Sequence, residues 1–158
     1  MYDLHIHTKA SDGILSPEEV IDKSISIGLA GISITDHDTV DGLEAAEKYL
    51  AQIKTNLKFI PGIELNTDYK NSEVHILGYF IDYYSQPFLD KLIEFKNSRY
   101  GRAEKMIGKL RSMGFTIDIQ MVEKIAGSDI IGRPHIAQAL VDKGYVFSVK
   151  EAFDKYIS

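Results

Sequence analysis

The sequence has no cysteine among its 158 residues, so neither a disulfide framework nor a thiolate metal site can form within it. It has no apolar run near the ~20 residues that span a bilayer. Its N-terminus lacks a charged region followed by a hydrophobic signal core. The content of 44% hydrophobic and 26% charged residues is ordinary for a soluble globular chain. From these features we expect a cytoplasmic protein without a membrane segment.

Charged side chains are divided unevenly along the chain. Residues 1–84 have a net charge of −8 and residues 85–158 a net charge of +3, which together give −5. All four arginines lie in the second part, at Arg99, Arg102, Arg111 and Arg133. An acidic part that gathers cations beside an arginine-bearing part that binds anions predicts a phosphorylated substrate, although such asymmetry also arises by chance in small proteins. The pattern differs from the basic stripe of proteins that coat long nucleic acids.

Residues 1–84 alternate predicted strands with predicted helices. The first strand covers Asp3–His7, and a helix begins at Pro17, after the N-cap Ser16, and ends at Gly28. Further strands are predicted at 29–35, 58–64 and 74–81, a second helix at 39–54, and a polar turn at 66–73. Alternation of strands and helices indicates a parallel sheet with right-handed crossovers, so the predicted fold class is α/β.

Residues 85–158 are predicted to be all-helical and to form a separate subdomain. The apolar spacing indicates one long helix at 87–113 and three shorter helices at 118–126, 134–143 and 148–157. The sequence therefore predicts two parts, an α/β part at 1–84 and a helical part at 85–158.

The first predicted strand carries two histidines on one face. Alternation along the strand places His5 and His7 opposite Leu4 and Ile6, and Asp12 follows on the adjoining Ser-Asp-Gly turn. Imidazole nitrogens and a carboxylate suit a divalent ion such as zinc, manganese or iron. For this motif taken alone, two strand histidines that merely form hydrogen bonds are the alternative.

Three more candidate ligands occur on or at the ends of later strands. His37 follows the second strand, Glu64 ends the third, and His75 lies on the fourth. The carboxyl ends of parallel strands meet at one edge of a sheet, so we expect these side chains to converge with the ligands of the first strand. Six ligands exceed the need of one ion, which predicts a cluster of two or three ions that clamps a phosphate. We expect Asp36 and Asp38 to orient His37 or its neighbours.

The motifs resemble those of a known family. The chain is similar to the PHP (polymerase and histidinol phosphatase) family in the stretches D-L-H-I-H-T-K-A-S-D-G, I-S-I-T-D-H-D, P-G-I-E and H-I-L-G-Y-F. It most resembles the branch of nucleoside 3′,5′-bisphosphate phosphatases and 5′→3′ exonucleases of short oligonucleotides, through S-R-Y-G-R and G-R-P-H-I-A-Q-A-L-V-D-K-G-Y-V. The resemblance implies that residues 1–84 are the first part of a distorted (β/α)7 barrel and that residues 85–158 are a helical insert.

The resemblance also implies how the metal ligands are shared among three ions. One ion would be held by His5, His7 and Glu64, a second by Asp12 and His37, and a third by Glu64 and His75, with Glu64 bridging. Members of the family continue beyond the helical insert and supply a further histidine and an Asp-x-His motif. This chain stops at Ser158. We therefore expect a fragment of a longer protein rather than a degenerate form.

Candidate substrate-binding residues lie in the helical part. Arg99 and Arg102 are three residues apart on one predicted helix face, where they either bind an anion together or are ordinary solvated charges. The segment 132–135 (G-R-P-H) is predicted to begin a helix, and a helix N-terminus favours an anion. The resemblance implies substrate binding by Arg99, Arg102, Arg133 and His135, and catalysis by His135, Arg99 and Asp12.

Together these features predict a metal-dependent phosphoesterase. Its substrate would be a phosphomonoester of a small nucleotide, of the 3′,5′-bisphosphate type, or a short oligonucleotide. The nucleophile would be a hydroxide that bridges two of the two or three divalent ions (manganese, zinc or iron). The alternatives are a histidinol-phosphatase-like enzyme, which would not need the arginines of the helical part, and a metal-binding module without turnover.

Overall fold

The computed structural model describes residues 1–70, 72–128 and 130–157. The chain divides into two compact units, Met1–Ile93 and Glu94–Ser158. We call the first the sheet unit and the second the helical unit. Among the described residues, no helix is both long enough and apolar enough to cross a membrane.

The sheet unit begins with parallel strands that are joined by helices. Its elements are β1 (Tyr2–Ile6), α1 (Pro17–Ser26), β2 (Gly31–Ile34), α2 (Asp41–Gln52), β3 (Lys58–Tyr69) and β4 (Ser72–Tyr79). The four strands form one sheet in the order β1-β2-β3-β4, and β2 runs parallel to both β1 and β3. The predicted parallel arrangement is confirmed for these three strands.

Local sequence explains where the first helix starts and which strand is buried. The Ser16 side chain accepts a hydrogen bond from the Glu19 N–H, and the Glu19 side chain accepts one from the Ser16 N–H. This reciprocal capping box satisfies two backbone donors at the start of α1. Ile32 and Ile34 of β2 are fully buried, as expected for an inner strand, and Leu43 of α2 is buried as well.

The polar turn predicted at 66–73 is wrong. The segment forms the end of a long hairpin, apart from residue 71, which lies outside the described residues. β3 continues to Tyr69, and its part from Gly62 to Tyr69 pairs antiparallel with β4. Polar side chains such as Asn66 and Thr67 do not end the strand, because the backbone groups of both strands are satisfied by the ladder between them.

The sheet is strongly curled. The Tyr79 hydroxyl of β4 donates a hydrogen bond of 2.9 Å to the Leu4 carbonyl oxygen of β1. Since β1 and β4 are the two ends of the strand order, this contact forms only because the strands twist and bend until the ends of the sheet approach each other. The curl allows residues on or just after the four strands to face one point.

The helical unit contains short helices packed around one apolar core. The long helix α3 (Gln86–Ser112) starts in the sheet unit and continues into the helical unit. It is followed by α4 (Ile119–Ala126), α5 (Arg133–Asp142), α6 (Val149–Ala152) and a π-helical turn at Phe153–Ile157. The four predicted helices are confirmed, the last one as α6 with its π-helical continuation. Residues at helical spacing fill the core, among them Ile107, Leu110, Val122, Ile136, Leu140 and Ile157.

Leu140→Ala should lower the free energy of unfolding of the helical unit by about 2–5 kcal/mol, because the side chain is fully buried on α5 and its loss leaves a cavity. Phe147→Ala is the control, since that ring is 98% exposed and its removal should change stability by no more than ~0.5 kcal/mol. Urea denaturation followed by circular dichroism measures both variants. Equal stabilities of the two would contradict the core that we assign.

Candidate metal centre

The Glu64 carboxylate lies among four imidazole rings. Its side chain is 3% exposed, and its Oε2 atom lies 2.9 Å from His5 Nε2 and 2.8 Å from His7 Nε2. Oε2 also lies 3.5 Å from His37 Nδ1, and Oε1 lies 2.7 Å from His75 Nδ1. The rings form a row in which successive centroids are 5.1, 4.5 and 5.0 Å apart. One buried carboxylate thus contacts histidines from three separate segments of the chain.

Strands and strand ends bring the distant members of this group together. His37 follows β2 and forms a parallel bridge with Glu64 of β3. His75 of β4 pairs with Asn66, which is two residues from Glu64 and therefore on the same face of β3. Glu64 and the histidines thus come from four segments of the chain. Three of these segments lie on or just after the parallel strands, as the sequence predicted, and the antiparallel strand β4 carries the fourth.

Asp12 extends the group on the side of His7. Its Oδ1 atom lies 3.0 Å from His7 Nδ1, and its Oδ2 atom lies 3.7 Å from His37 Nε2. The loop that carries Asp12 turns tightly at Gly13, whose N–H donates to the Thr8 carbonyl oxygen. A Cβ atom on residue 13 would come within 2.4 Å of the His7 carbonyl oxygen, so only glycine fits this turn.

A buried carboxylate, Asp36, holds that loop in place. Its Oδ1 atom accepts hydrogen bonds from the Thr8 N–H and the Ser11 hydroxyl, both at 2.6 Å, and its Oδ2 atom accepts one from the Thr8 hydroxyl at 2.7 Å. Since bonds to an ionised acceptor are strong, Asp36 ties the end of β2 to the loop of Asp12. Sequence reasoning overlooks Thr8 and Ser11, although hydroxyls beside a Ser-Asp-Gly turn are a signal for such bonds.

A second buried carboxylate, Asp38, joins the loop after β2 to β3. Its Oδ1 atom accepts the Asn66 N–H at 3.0 Å, and its own N–H donates to the Glu64 carbonyl oxygen at 2.9 Å. Its φ of 50° lies in the left-handed region, which aspartate tolerates better than most residues. Asp36 and Asp38 thus orient the backbone segments that carry the histidines and carboxylates of the site.

The contacts shift the pKa values of two groups in opposite directions. Burial opposes the charged form of His7, but the hydrogen bond to Asp12 and the charges of Asp12 and Glu64 outweigh burial and raise the His7 pKa. Burial also opposes the charged form of Glu64, but hydrogen bonds and charge from the histidines outweigh it and lower the Glu64 pKa. Glu64 is therefore an anion at neutral pH, and a proton and a metal ion would compete for His7.

The donor set fits divalent metal ions. Three overlapping groups have ligand atoms that all lie within 4.8 Å of one another, namely His5–His7–Glu64, His7–Asp12–His37 and His37–Glu64–His75. Neutral imidazoles and ionised carboxylates are common ligands of zinc, manganese and iron. Four adjacent imidazoles would repel one another if all were protonated, whereas two carboxylates attract a divalent ion. The structure thus brings together all six residues that the sequence predicted as metal ligands.

The structure places the four predicted substrate-binding residues in different environments. Arg99 of α3 is 7% exposed and His135 of α5 is 9% exposed, although both side chains are polar. Arg102 is exposed, and the Arg133 guanidinium lies 5.8 Å from the centroid of the Phe153 ring. The spacing of Arg99 and Arg102 does not reveal this difference in burial.

The His135 side chain has a defined tautomer. The Gly132 N–H donates a hydrogen bond of 3.1 Å to His135 Nδ1, so the neutral ring carries its proton on Nε2. Arg99 also lies close to Gly132, because a Cβ atom on Gly132 would be 3.9 Å from Arg99 Nη1, as well as 4.0 Å from His135 Nδ1. A guanidinium, an imidazole and the N-terminus of α5 therefore surround Gly132, which is an arrangement suited to an anion.

Asp36→Asn should weaken the binding of zinc or manganese by about 10- to 100-fold, because an amide cannot accept all three hydrogen bonds and the loop of Asp12 is released. Isothermal titration of each metal into the chain measures the change. Asp22→Asn removes an exposed carboxylate of α1 and should bind both metals like the wild type. Unchanged affinity in Asp36→Asn would show that the site does not need this carboxylate.

Three curated relatives are 31–32% identical to nearly the whole chain. They are the 5′-3′ exoribonuclease Rnm of Escherichia coli (31% identity, 100% of this chain and 54% of the relative), the 5′-3′ exoribonuclease of Haemophilus influenzae (31%, 99% and 56%) and the 3′,5′-nucleoside bisphosphate phosphatase of Chromobacterium violaceum (32%, 99% and 54%). The chain spans about half the length of the curated relatives it matches.

Two solved structures resemble this one. An amidohydrolase from Chromobacterium violaceum with bound sulfate and no metal has a TM-score of 0.89 and 32% identity, over 99% of this chain and 55% of that one. A candidate metal-dependent phosphoesterase from Bifidobacterium adolescentis has a TM-score of 0.87 and 31% identity over the same shares. A family model for the PHP domain matches residues 3–155. The chain therefore belongs to the PHP domain family.

Proposed function

We propose that this chain carries the metal-binding and phosphate-binding residues of a metal-dependent phosphoesterase that acts on a small nucleotide phosphate or a short oligonucleotide. The observation that carries the proposal is the buried Glu64 carboxylate, which is shared by two of the three potential metal-binding groups. The names of the relatives, exoribonuclease and nucleoside bisphosphate phosphatase, support a phosphate ester of a nucleotide as the substrate.

In this proposal, residues 1–84 are the metal-binding part of a distorted (β/α)7 barrel, and residues 85–158 are a helical insert. The curl of the four-stranded sheet supports the barrel, since a barrel forms when a sheet bends until its ends approach. The helices from α3 to α6 support the insert, because no strand occurs among the described residues after β4.

The six ligands would hold two or three divalent ions, with Glu64 shared between ions. Such ions, when bound, supply an activated water and neutralise the charge on phosphate oxygens. The carboxylates of Glu64 and Asp12 provide the negative charge that attracts the ions, and the neutral imidazoles provide further ligands. Asp12, beside His7 and His37, can also accept a proton from the attacking water.

Arg99 and His135 would act on the phosphate itself. A guanidinium keeps its charge when buried and offers paired N–H donors to phosphate oxygens. The Nε2–H of the neutral His135 ring can donate a hydrogen bond to a phosphate oxygen or to the oxygen of the leaving group, where it stabilises the developing negative charge. Arg133 and the exposed Arg102 are the candidates for a second phosphate.

The 158-residue chain with added manganese should release inorganic phosphate from a nucleoside 3′,5′-bisphosphate, and EDTA should abolish the release. His135→Ala should lower kcat by about 10²- to 10³-fold, because a hydrogen-bond donor to the charge that develops in the transition state is lost. Gln138→Ala, one turn further along α5, should keep the wild-type kcat. A colorimetric phosphate assay measures all three proteins.

Two results of this assay would contradict the proposal. One is phosphate release that EDTA does not reduce, and the other is no release by a chain that demonstrably binds manganese. An unchanged kcat in His135→Ala would contradict the role of His135 and favour a simpler phosphomonoester, as in the histidinol-phosphatase-like alternative.

A further inference from the structure

We propose that a cavity in the helical unit binds the nucleoside of the substrate and that Tyr100 contacts its base. This proposal rests on the phosphoesterase function proposed above. It adds the residues that would distinguish a nucleotide from a sugar phosphate.

The cavity lies among residues of α3, α4 and the segment before α5. Its volume is about 490 Å³, which is within the usual range for small-molecule sites. Lys96, Asn97 and Tyr100 line it from α3. Glu123 lines it from α4, and Ile131 lines it from the segment before α5.

The cavity adjoins the residues that we assign to phosphate binding. Tyr100 directly follows Arg99 in α3, and Ile131 directly precedes Gly132. Gly132 has no side chain to fill the space between Arg99 Nη1 and His135 Nδ1. A phosphate bound at the start of α5 would therefore place its ribose and base at the cavity. Both subsites belong to one compact unit.

The walls of the cavity suit a nucleobase. The Tyr100 hydroxyl donates to Glu123 Oε1 at 3.2 Å, which fixes the orientation of the ring. Partial burial and this hydrogen bond raise the pKa of Tyr100, so the ring stays neutral. A neutral aromatic ring provides a stacking surface for a base, and the buried Ile131 provides an apolar one. Asn97 offers both a donor and an acceptor to the edge of a base.

The charged groups of the cavity suit a ribose and its phosphate. The Glu123 carboxylate can accept hydrogen bonds from ribose hydroxyls or from an amino group of the base, and it repels a bare phosphate. Lys96 lies three residues before Arg99 and hence on the same side of α3, where its charge favours the phosphate end of the ligand. A nucleoside monophosphate can use all of these groups, whereas ribose 5-phosphate has no base to use Tyr100 or Asn97.

Isothermal titration of the 158-residue chain in EDTA with 5′-AMP, ribose 5-phosphate and inorganic phosphate tests the proposal. 5′-AMP should bind about 5- to 100-fold more tightly than ribose 5-phosphate, which is the range that stacking of one base provides. Tyr100→Ala should remove this difference and leave the affinity for ribose 5-phosphate unchanged. Tyr100→Phe should keep the difference, because the ring remains.

Two further variants make the test specific. Phe147→Ala truncates an exposed aromatic ring outside the cavity and should leave all three affinities unchanged. Asn97→Ala changes an exposed side chain and should lower the affinity for 5′-AMP alone. If Tyr100→Ala does not fold, Asn97→Ala alone tests the nucleoside site. An unchanged affinity of Asn97→Ala for 5′-AMP would then overturn the proposal.

Two results with the wild type and Tyr100→Ala would also overturn the proposal. One is a wild-type chain that binds 5′-AMP no more tightly than ribose 5-phosphate, or not at all. The other is a folded Tyr100→Ala variant whose affinities for 5′-AMP and for ribose 5-phosphate fall by the same factor. Because EDTA removes the metals, these results do not depend on hydrolysis. Manganese-dependent phosphate release without preference for 5′-AMP would overturn the nucleoside site and leave the phosphoesterase in place.

Discussion

The Glu64 carboxylate is the group on which the arrangement of the candidate metal centre depends. A carboxylate that is 3% exposed is costly to ionise unless hydrogen bonds or positive charge compensate it. Here both oxygens contact imidazole nitrogens, and the lowered pKa of Glu64 shows that this compensation exceeds the cost of burial. The same compensation could come from divalent ions, because the atoms that surround Glu64 are the atoms that bind metals. The geometry that stabilises the carboxylate is therefore also a metal-binding geometry.

The curled sheet and two further carboxylates make this geometry possible. His5 on β1 and His75 on β4 reach one glutamate because the ends of the sheet approach each other, as the bond between Tyr79 and Leu4 shows. Asp36 fixes the loop after β1 through three hydrogen bonds. The helical unit contributes a different chemistry, since its buried arginine and its histidine, whose neutral ring carries the proton on Nε2, suit an anion. The net negative part of the sequence thus carries the candidate cation-binding residues, and the net positive part carries the candidate anion-binding residues.

Most of the elements could be predicted because their signals are local. The cap at Ser16, the apolar spacing of the helices and the alternation around His5 each lie within a few residues. The hairpin of β3 and β4 could not be predicted from the sequence, because its polar side chains are typical of a turn. Its stability comes from hydrogen bonds between the two backbones. The hydroxyls beside the Ser-Asp-Gly turn indicate hydrogen bonds there, but the sequence does not identify Asp36 as their partner, since Thr8 is 28 residues away from it. Spacing likewise gives no information on the burial that separates Arg99 from Arg102, because burial depends on tertiary packing.

A count of the divalent ions bound by the wild type and by Glu64→Gln tests the central claim most directly. Equilibrium dialysis against zinc or manganese, followed by elemental analysis, gives the number, and Glu44→Gln on the exposed face of α2 is the control. We predict more than one ion in the wild type and in Glu44→Gln. We predict one ion in Glu64→Gln, at the His7–Asp12–His37 group, which does not include Glu64. An equal number of ions in all three proteins would contradict the claim that Glu64 holds the centre together.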